Sequence, residues 1–155
     1  MKFSTNEDVE APIDAVFAML SDFDHFERVA MRRGAEVLRA ETEPGQVNGT
    51  LWNAMFDWRG KRRAIQVKLL RYDRPQQMVF DSRMEGLTGE LSVELIALSR
   101  LRTRMRIVLD VKPETMKARL LVQSMRLAKA TLNKRYKGRI SDYAGAMEER
   151  YGRMA

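Results

Sequence analysis

A chain of 155 residues with 45% apolar content suits a single domain able to bury about 70% of its unfolded surface. The absence of cysteine excludes a disulfide framework, a thiolate metal site and a cysteine nucleophile, so a reducing cytoplasm is the expected compartment. The net charge of +7 is carried at Arg32-Arg33, Lys61-Arg62-Arg63, Arg100 to Arg106 and Lys134 to Arg139, with acids interspersed and no basic block interleaved with stacking aromatics. No nucleic-acid partner is therefore expected.

The opening, Met1 to Asp8, turns acidic at once and lacks the apolar core of a signal peptide. No segment approaches the roughly 18 uninterrupted apolar residues of a membrane span. Within that opening, Phe3, Thr5, Glu7 and Val9 alternate on one side of a first strand. Ala11-Pro12 then introduces a short helix over Ile13 to Leu20. Ser21-Asp22 breaks it, and Asp22 is placed to cap a second helix from Phe23 to Arg33, which Gly34 ends.

From Ala35 the period changes to two. Strands are expected at Ala35–Glu41, Thr50–Trp58, Arg62–Tyr72, Gln77–Met84, Thr88–Leu98 and Arg102–Lys112. Pro44-Gly45 with Asn48-Gly49, Arg59-Gly60, Arg74-Pro75, Glu85-Gly86 and Ser99-Arg100 separate them, and such short connections imply antiparallel hairpins. One strand face is apolar: Trp52, Ala54, Phe56, Trp58, then Ile65, Val67, Leu69, then Met78, Phe80, then Leu91, Val93, Leu95, then Met105, Ile107, Leu109. The other is polar, apart from Leu51, Met55 and Val108.

The chain closes on an amphipathic pattern from Pro113 to about Arg150. Leu121, Met125, Ala128, Leu132, Tyr136, Ile140, Tyr143 and Met147 recur at three- and four-residue steps. Unbroken, this helix would be roughly 55 Å long and would lie across a whole curved sheet. Gly138 and Gly145 interrupt it and are candidate bend points. Lys117, Arg126, Lys129 and Lys137 could face outward together, which suits a transient contact with an anionic membrane surface.

Element order and the segment Val9-Glu10-Ala11-Pro12-Ile13-Asp14-Ala15-Val16-Phe17-Ala18-Met19-Leu20-Ser21-Asp22-Phe23 carry a resemblance. The sequence is similar to the START-like, or SRPBCC, superfamily, and most of all to its bacterial polyketide cyclase/dehydrase and lipid-transport-like branch. The resemblance implies an α+β helix-grip fold: a curved antiparallel sheet of about seven strands gripping a long C-terminal helix, with two short helices between the first two strands. It implies a hydrophobic small-molecule ligand between sheet and helix, such as a lipid, a quinone, a sterol-like molecule or an aromatic polyketide. The implied wall is Trp52, Phe56, Trp58, Phe80, Met105, Leu121 and Met125, positions that alternation and helical spacing also select. The loops at Glu85-Gly86 and Pro44-Gly45, with the last helix, would form the gate. A filled core is the competing reading for each of these side chains.

Catalytic signals are sparse. His25 is the only histidine, and Asp22, Asp24 and His25 point in different directions from a short helix, so they read as cap and surface rather than as metal ligands. No Gly-x-Ser-x-Gly elbow or glycine-rich phosphate loop occurs, and no cofactor is expected. A cyclase or dehydratase would need an inward acid or base, for which Glu7 is the candidate. A ligand-free interaction module remains the third reading. Oligomeric state carries no signal in the sequence.

Overall fold

The computed structural model describes residues 1–40 and 45–154. Chain order is β1 (Lys2–Val9), α1 (Ile13–Leu20), α2 (Phe23–Arg32), β2 (Glu36–Ala40), β3 (Leu51–Trp58), β4 (Lys61–Asp73), β5 (Gln77–Met84), β6 (Leu87–Ser99), β7 (Arg102–Pro113), α3 (Met116–Leu127) and α4 (Lys129–Met154). Glu41, the expected end of the second strand, and Pro44 of the expected gate lie outside the described residues.

Seven strands form one antiparallel sheet in the order β1-β7-β6-β5-β4-β3-β2. Directly opposed residues share a face, so the ladder tests the alternation. Trp52 opposes Val67, Leu69 opposes Phe80, Phe80 opposes Leu91, Leu91 opposes Leu109, and Leu95 opposes Met105. The apolar set therefore shares one inner face. Of the three exceptions, Leu51, Met55 and Val108 all stay on the outer face, with Met55 exposed and the other two half-buried. A bulge between Leu69 and Arg71 shifts the register of β4 against β5.

Local chemistry fixes the two short helices. Pro12, with φ −61° and ψ 151°, sits at the N-cap of α1, where its missing N–H costs nothing. The Asp22 carboxylate accepts from the His25 N–H at 3.2 Å and caps α2. Thr103, fully buried, donates its hydroxyl to the Ala11 carbonyl at 2.8 Å and ties the approach to α1 onto β7.

The end of the chain departs from expectation. Pro113 does not open a helix; it is the last residue of β7 and opposes Leu87. A strand end tolerates its missing donor, and the helix starts after Thr115, whose hydroxyl accepts from the Ala118 N–H at 3.1 Å. Nor is the helix continuous. It breaks at Ala128 (φ −105°, ψ 18°) into helices of 12 and 26 residues, so the longer piece spans about 39 Å rather than 55 Å. The break follows from two packing targets. α3 buries Ala118 and Val122 against Leu87, with Met84, Val111 and Leu121 around them. α4 buries Ala144 and Met147 in the main core beside Val9, Phe17 and Met105. Gly138 and Gly145 lie within unbroken α4.

The helices cover the inner face unevenly. α4 packs chiefly on β1, α3 on β7, α2 on β2, and α1 on β6, β7 and α4. Phe56, Trp58 and Ile65 on β3 and β4, and Phe80 and Leu91 nearer the middle of the sheet, stay half-buried.

Gly86 links the sheet to α3. Its φ is +80°, and a Cβ there would collide with the Thr115 hydroxyl that caps the helix. Gly49 has a similar φ of +86° with open space around it. Gly49→Ala should therefore cost about 1–2 kcal/mol from backbone strain alone, and Gly86→Ala a further ~1–3 kcal/mol from overpacking. Urea denaturation of both variants measures the difference; equal losses would contradict the contact.

Candidate ligand-binding site

Ser21, Asp22 and Phe23 make the corner between α1 and α2, and each has a task. The Ser21 hydroxyl donates to the Phe17 carbonyl at 2.7 Å, closing the last turn of α1. Asp22 caps α2 and also accepts from Arg150 Nη2 at 2.8 Å, which ties the corner to the end of α4. The Arg150 hydrogen bond holds the Asp22 carboxyl below its ordinary range, and the His25 N–H adds to this against the cost of burial. Phe23 turns inward, with its ring 5.1 Å from Trp52 and 6.5 Å from Phe80, edge to face in both cases. Trp52 and Phe80 are themselves 6.2 Å apart.

A polar cluster stands beside this aromatic trio. Arg39 Nε donates to Glu27 Oε1 at 2.8 Å, and its Nη2 pairs with Glu27 and Asp24. The Trp52 indole N–H donates to the same Glu27 oxygen at 3.1 Å. Arg39 foremost, with a smaller contribution from Trp52, holds the Glu27 carboxyl low despite its burial. The cluster fastens α2 to the β2–β3 edge and keeps the Trp52 ring in place.

Between this corner and the sheet lies a cavity of about 560 Å³, lined by Ser21, Phe23, Arg39, Ala40, Gln46, Val47, Thr50 and Tyr72. The Tyr72 ring packs edge to face on Phe17 at 5.0 Å, and its hydroxyl is 3.1 Å from Ser21 Oγ. The proton directions follow from the acceptors. A carbonyl can only accept, so Ser21 donates to Phe17, and Tyr72 must then donate to Ser21. Thr50 likewise donates to the Val47 carbonyl at 2.6 Å. Three hydroxyls at the cavity thus have their protons committed to the protein, while their lone pairs can still accept. A second, smaller hollow of about 200 Å³ lies between α1 and the last turn of α4, against Asp22 and Arg150.

The expected wall residues are dispersed. Trp52 and Phe80 meet, and both touch Phe23, which lines the cavity. Phe56 and Trp58 continue along the inner face of β3 toward its far end, where Arg59 and Arg63 lie over the Trp58 ring at 4.8 and 5.0 Å. Met105 is fully buried in the main core, Leu121 packs in the smaller cluster under α3, and Met125 is half-buried on α3. Glu7 opposes Met105, which makes it the one carboxylate on the inner face of the described strands, and it is half-buried. None of these eight residues lines the cavity. Among the described residues no three carboxylate or histidine groups converge as metal ligands would.

Sequence reasoning missed all eight lining residues: Ser21, Phe23, Arg39, Ala40, Gln46, Val47, Thr50 and Tyr72. For Phe23 the Ser-Asp step just before it was the available signal. For Tyr72 alternation misleads, because the bulge after Leu69 reverses which parity of β4 faces inward: Tyr72 opposes Met78.

Deeper in the molecule, the Tyr136 hydroxyl donates to the Ile107 carbonyl at 2.6 Å, and burial pushes its phenol up to about 12. Burial likewise raises Tyr143, which packs 5.4 Å from Phe26.

The family described as polyketide cyclase / dehydrase and lipid transport matches residues 1–148. The chain belongs to that family. Among solved structures it is similar to an aromatase/cyclase from a Streptomyces species, at 15% identity and a TM-score of 0.68, over 97% of this chain and 95% of the other. A conserved protein from Geobacillus kaustophilus matches at 10% identity and a TM-score of 0.64, over 99% and 96% of the two chains. A START superfamily protein from Mycobacterium smegmatis matches at 15% identity and a TM-score of 0.57, over 86% and 95%. At such identities the likeness is one of fold, and that fold is the START-like helix grip. A comparison with curated protein sequences finds no match. No helix among the described residues is long and apolar enough to cross a membrane.

Glu27 makes the corner sensitive to acid. Its folded pKa lies below its unfolded value near 4.5, so the stability it contributes is present above that value and is lost as pH falls through the folded one. The urea midpoint should therefore drop as pH is lowered below 4.5, and drop less steeply in Arg39→Met. Parallel pH profiles for the two proteins would contradict the assignment.

Proposed function

We propose that this protein binds and carries a hydrophobic or amphipathic small molecule between the sheet and the helices, with the ligand's polar end in the cavity at Ser21, Thr50 and Tyr72. The observation that carries this reading is the cavity of about 560 Å³ adjoining the Phe23–Trp52–Phe80 trio. A largely apolar cleft with a few fixed polar groups is what a lipid, quinone, sterol-like molecule or aromatic polyketide requires. In this reading Trp52 and Phe80 back the cavity through Phe23. Half-buried Phe56, Trp58 and Met125 extend the apolar wall, while Met105 and Leu121 support it from packed clusters. Burial of apolar ligand surface would supply affinity at about 25 cal/mol per Å².

The committed protons at the cavity narrow the ligand. Ser21, Thr50 and Tyr72 present lone pairs, so a ligand hydroxyl seated against these three groups donates to them. A hydroxylated aromatic such as a naphthol should quench Trp52 fluorescence at a concentration about ten-fold lower than its methyl ether does. Tyr72→Phe should narrow that preference to about two- to three-fold, since one neutral hydrogen bond is worth roughly 1 kcal/mol. Native mass spectrometry on protein purified without detergent tests carriage itself. A discrete adduct that extracts as a lipid, quinone or aromatic compound supports it, and a ligand-free mass with no binding of either probe would sink it.

One observation favours a second reading, catalysis of a cyclisation or dehydration: Glu7 stands on the inner face opposite Met105. It lies away from the cavity lining, which is why binding is preferred. Under the catalytic reading, Glu7→Gln should abolish turnover of a polyketide-like substrate while leaving ligand quenching unchanged; unchanged turnover would dismiss it.

A further inference from the structure

α3 is apolar on two opposite sides. One side, Ala118 and Val122 with Leu121, packs on the sheet. On the opposite side Met116, Leu120 and Leu127 project into solvent with relative exposures of 71%, 62% and 92%. At 100° per residue these three lie within about 40° of one another on the helix. Leu127, the most exposed, sits at the apex where the chain breaks at Ala128 and turns into α4.

Charge is concentrated on the same two helices. Between Glu114 and Asp142 the chain has no acid, yet it carries Lys117, Arg119, Arg126, Lys129, Lys134, Arg135, Lys137 and Arg139. Those eight positive charges exceed the whole net charge of +7. All eight are exposed. None makes an ion pair among the described residues, whereas Arg39, Arg62, Arg63, Arg71, Arg83, Arg102 and Arg104 on the sheet are each paired with a carboxylate.

We propose that α3 and the first half of α4 form a docking surface for an anionic phospholipid bilayer, with Met116, Leu120 and Leu127 entering the acyl boundary and the unpaired cations meeting the headgroups. Each cation near such a surface adds a salt-screened attraction, and apolar side chains entering the interface add to it. A nucleic acid would draw on the same charge. It would gain nothing from an aliphatic tip, and the apex offers it no aromatic ring to stack on. The inference rests on the distribution of charge and apolar surface, and holds whatever molecule the cavity takes.

Flotation of the full chain with phosphatidylglycerol-rich and pure phosphatidylcholine vesicles tests it. Partitioning should favour the anionic vesicles by ten-fold or more at low salt and decline steeply as salt rises. Leu120→Gln with Leu127→Gln alters only exposed side chains, and should weaken anionic binding about ten-fold while leaving the urea midpoint unchanged. Lys117→Glu with Lys134→Glu should weaken it comparably. Equal binding to both vesicle types, or anionic binding untouched by the leucine changes, would overturn the proposal. So would binding to a DNA duplex tighter than to the vesicles and indifferent to those leucines.

Discussion

The inner face of the sheet is mainly apolar from β7 to β3, and two helices of limited reach must bury it. That mismatch governs the rest of the molecule. α4 takes the β1 edge and α3 the end of β7, which leaves the β3 side to be covered by whatever else is near. The chain answers with the α1–α2 corner, where Phe23 meets Trp52 and Phe80 edge to face. Ring pairs of this kind contribute about 0.5–1.5 kcal/mol beyond their buried area. Rings pack less completely than a helix laid along the strands, and the space left over is the cavity.

The polar groups around that corner are structural before they are functional. Glu27 accepts from both Arg39 and Trp52, which satisfies a half-buried carboxylate and fixes the indole. Asp22 caps one helix and pairs with the end of another. Such doubled use lets a small number of charges hold a region poor in aliphatic packing. It also leaves the cavity lined by hydroxyls whose orientation is set by neighbouring carbonyls.

Much of the fold was legible because period-two patterning dominates β3, β5, β6 and β7, where burial of one face pins the register along most of their length. Glu7 was placed on the inner face by the same logic. The helix break was not legible. Leu127, Ala128 and Lys129 are all good helix formers, and no local signal opposes continuation; the break exists because α3 and α4 seek different partners on the sheet. The two glycines that looked like bend points lie within continuous α4, since a glycine weakens a helix without having to break it. The site was half legible. Trp52 and Phe80 belong to the regular pattern, whereas Ser21, Thr50 and Tyr72 come from a helix corner, a strand approach and the far side of a bulge.

That bulge acts on β4 as a frameshift acts on a reading frame. Before it, odd-numbered residues such as Ile65, Val67 and Leu69 face inward; after it, even-numbered Tyr72 does. The first part of the strand serves the apolar sheet face and the last part serves the cavity, so one residue, the exposed Leu70, separates two uses of a single strand. Straightening the bulge at constant length would bring Arg71 opposite Met78 and turn the Tyr72 hydroxyl out to water. Deleting Leu70 itself would restore regular alternation and keep Tyr72 facing inward. The polar end of the cavity therefore depends on how one extra residue is accommodated as well as on which side chains surround it.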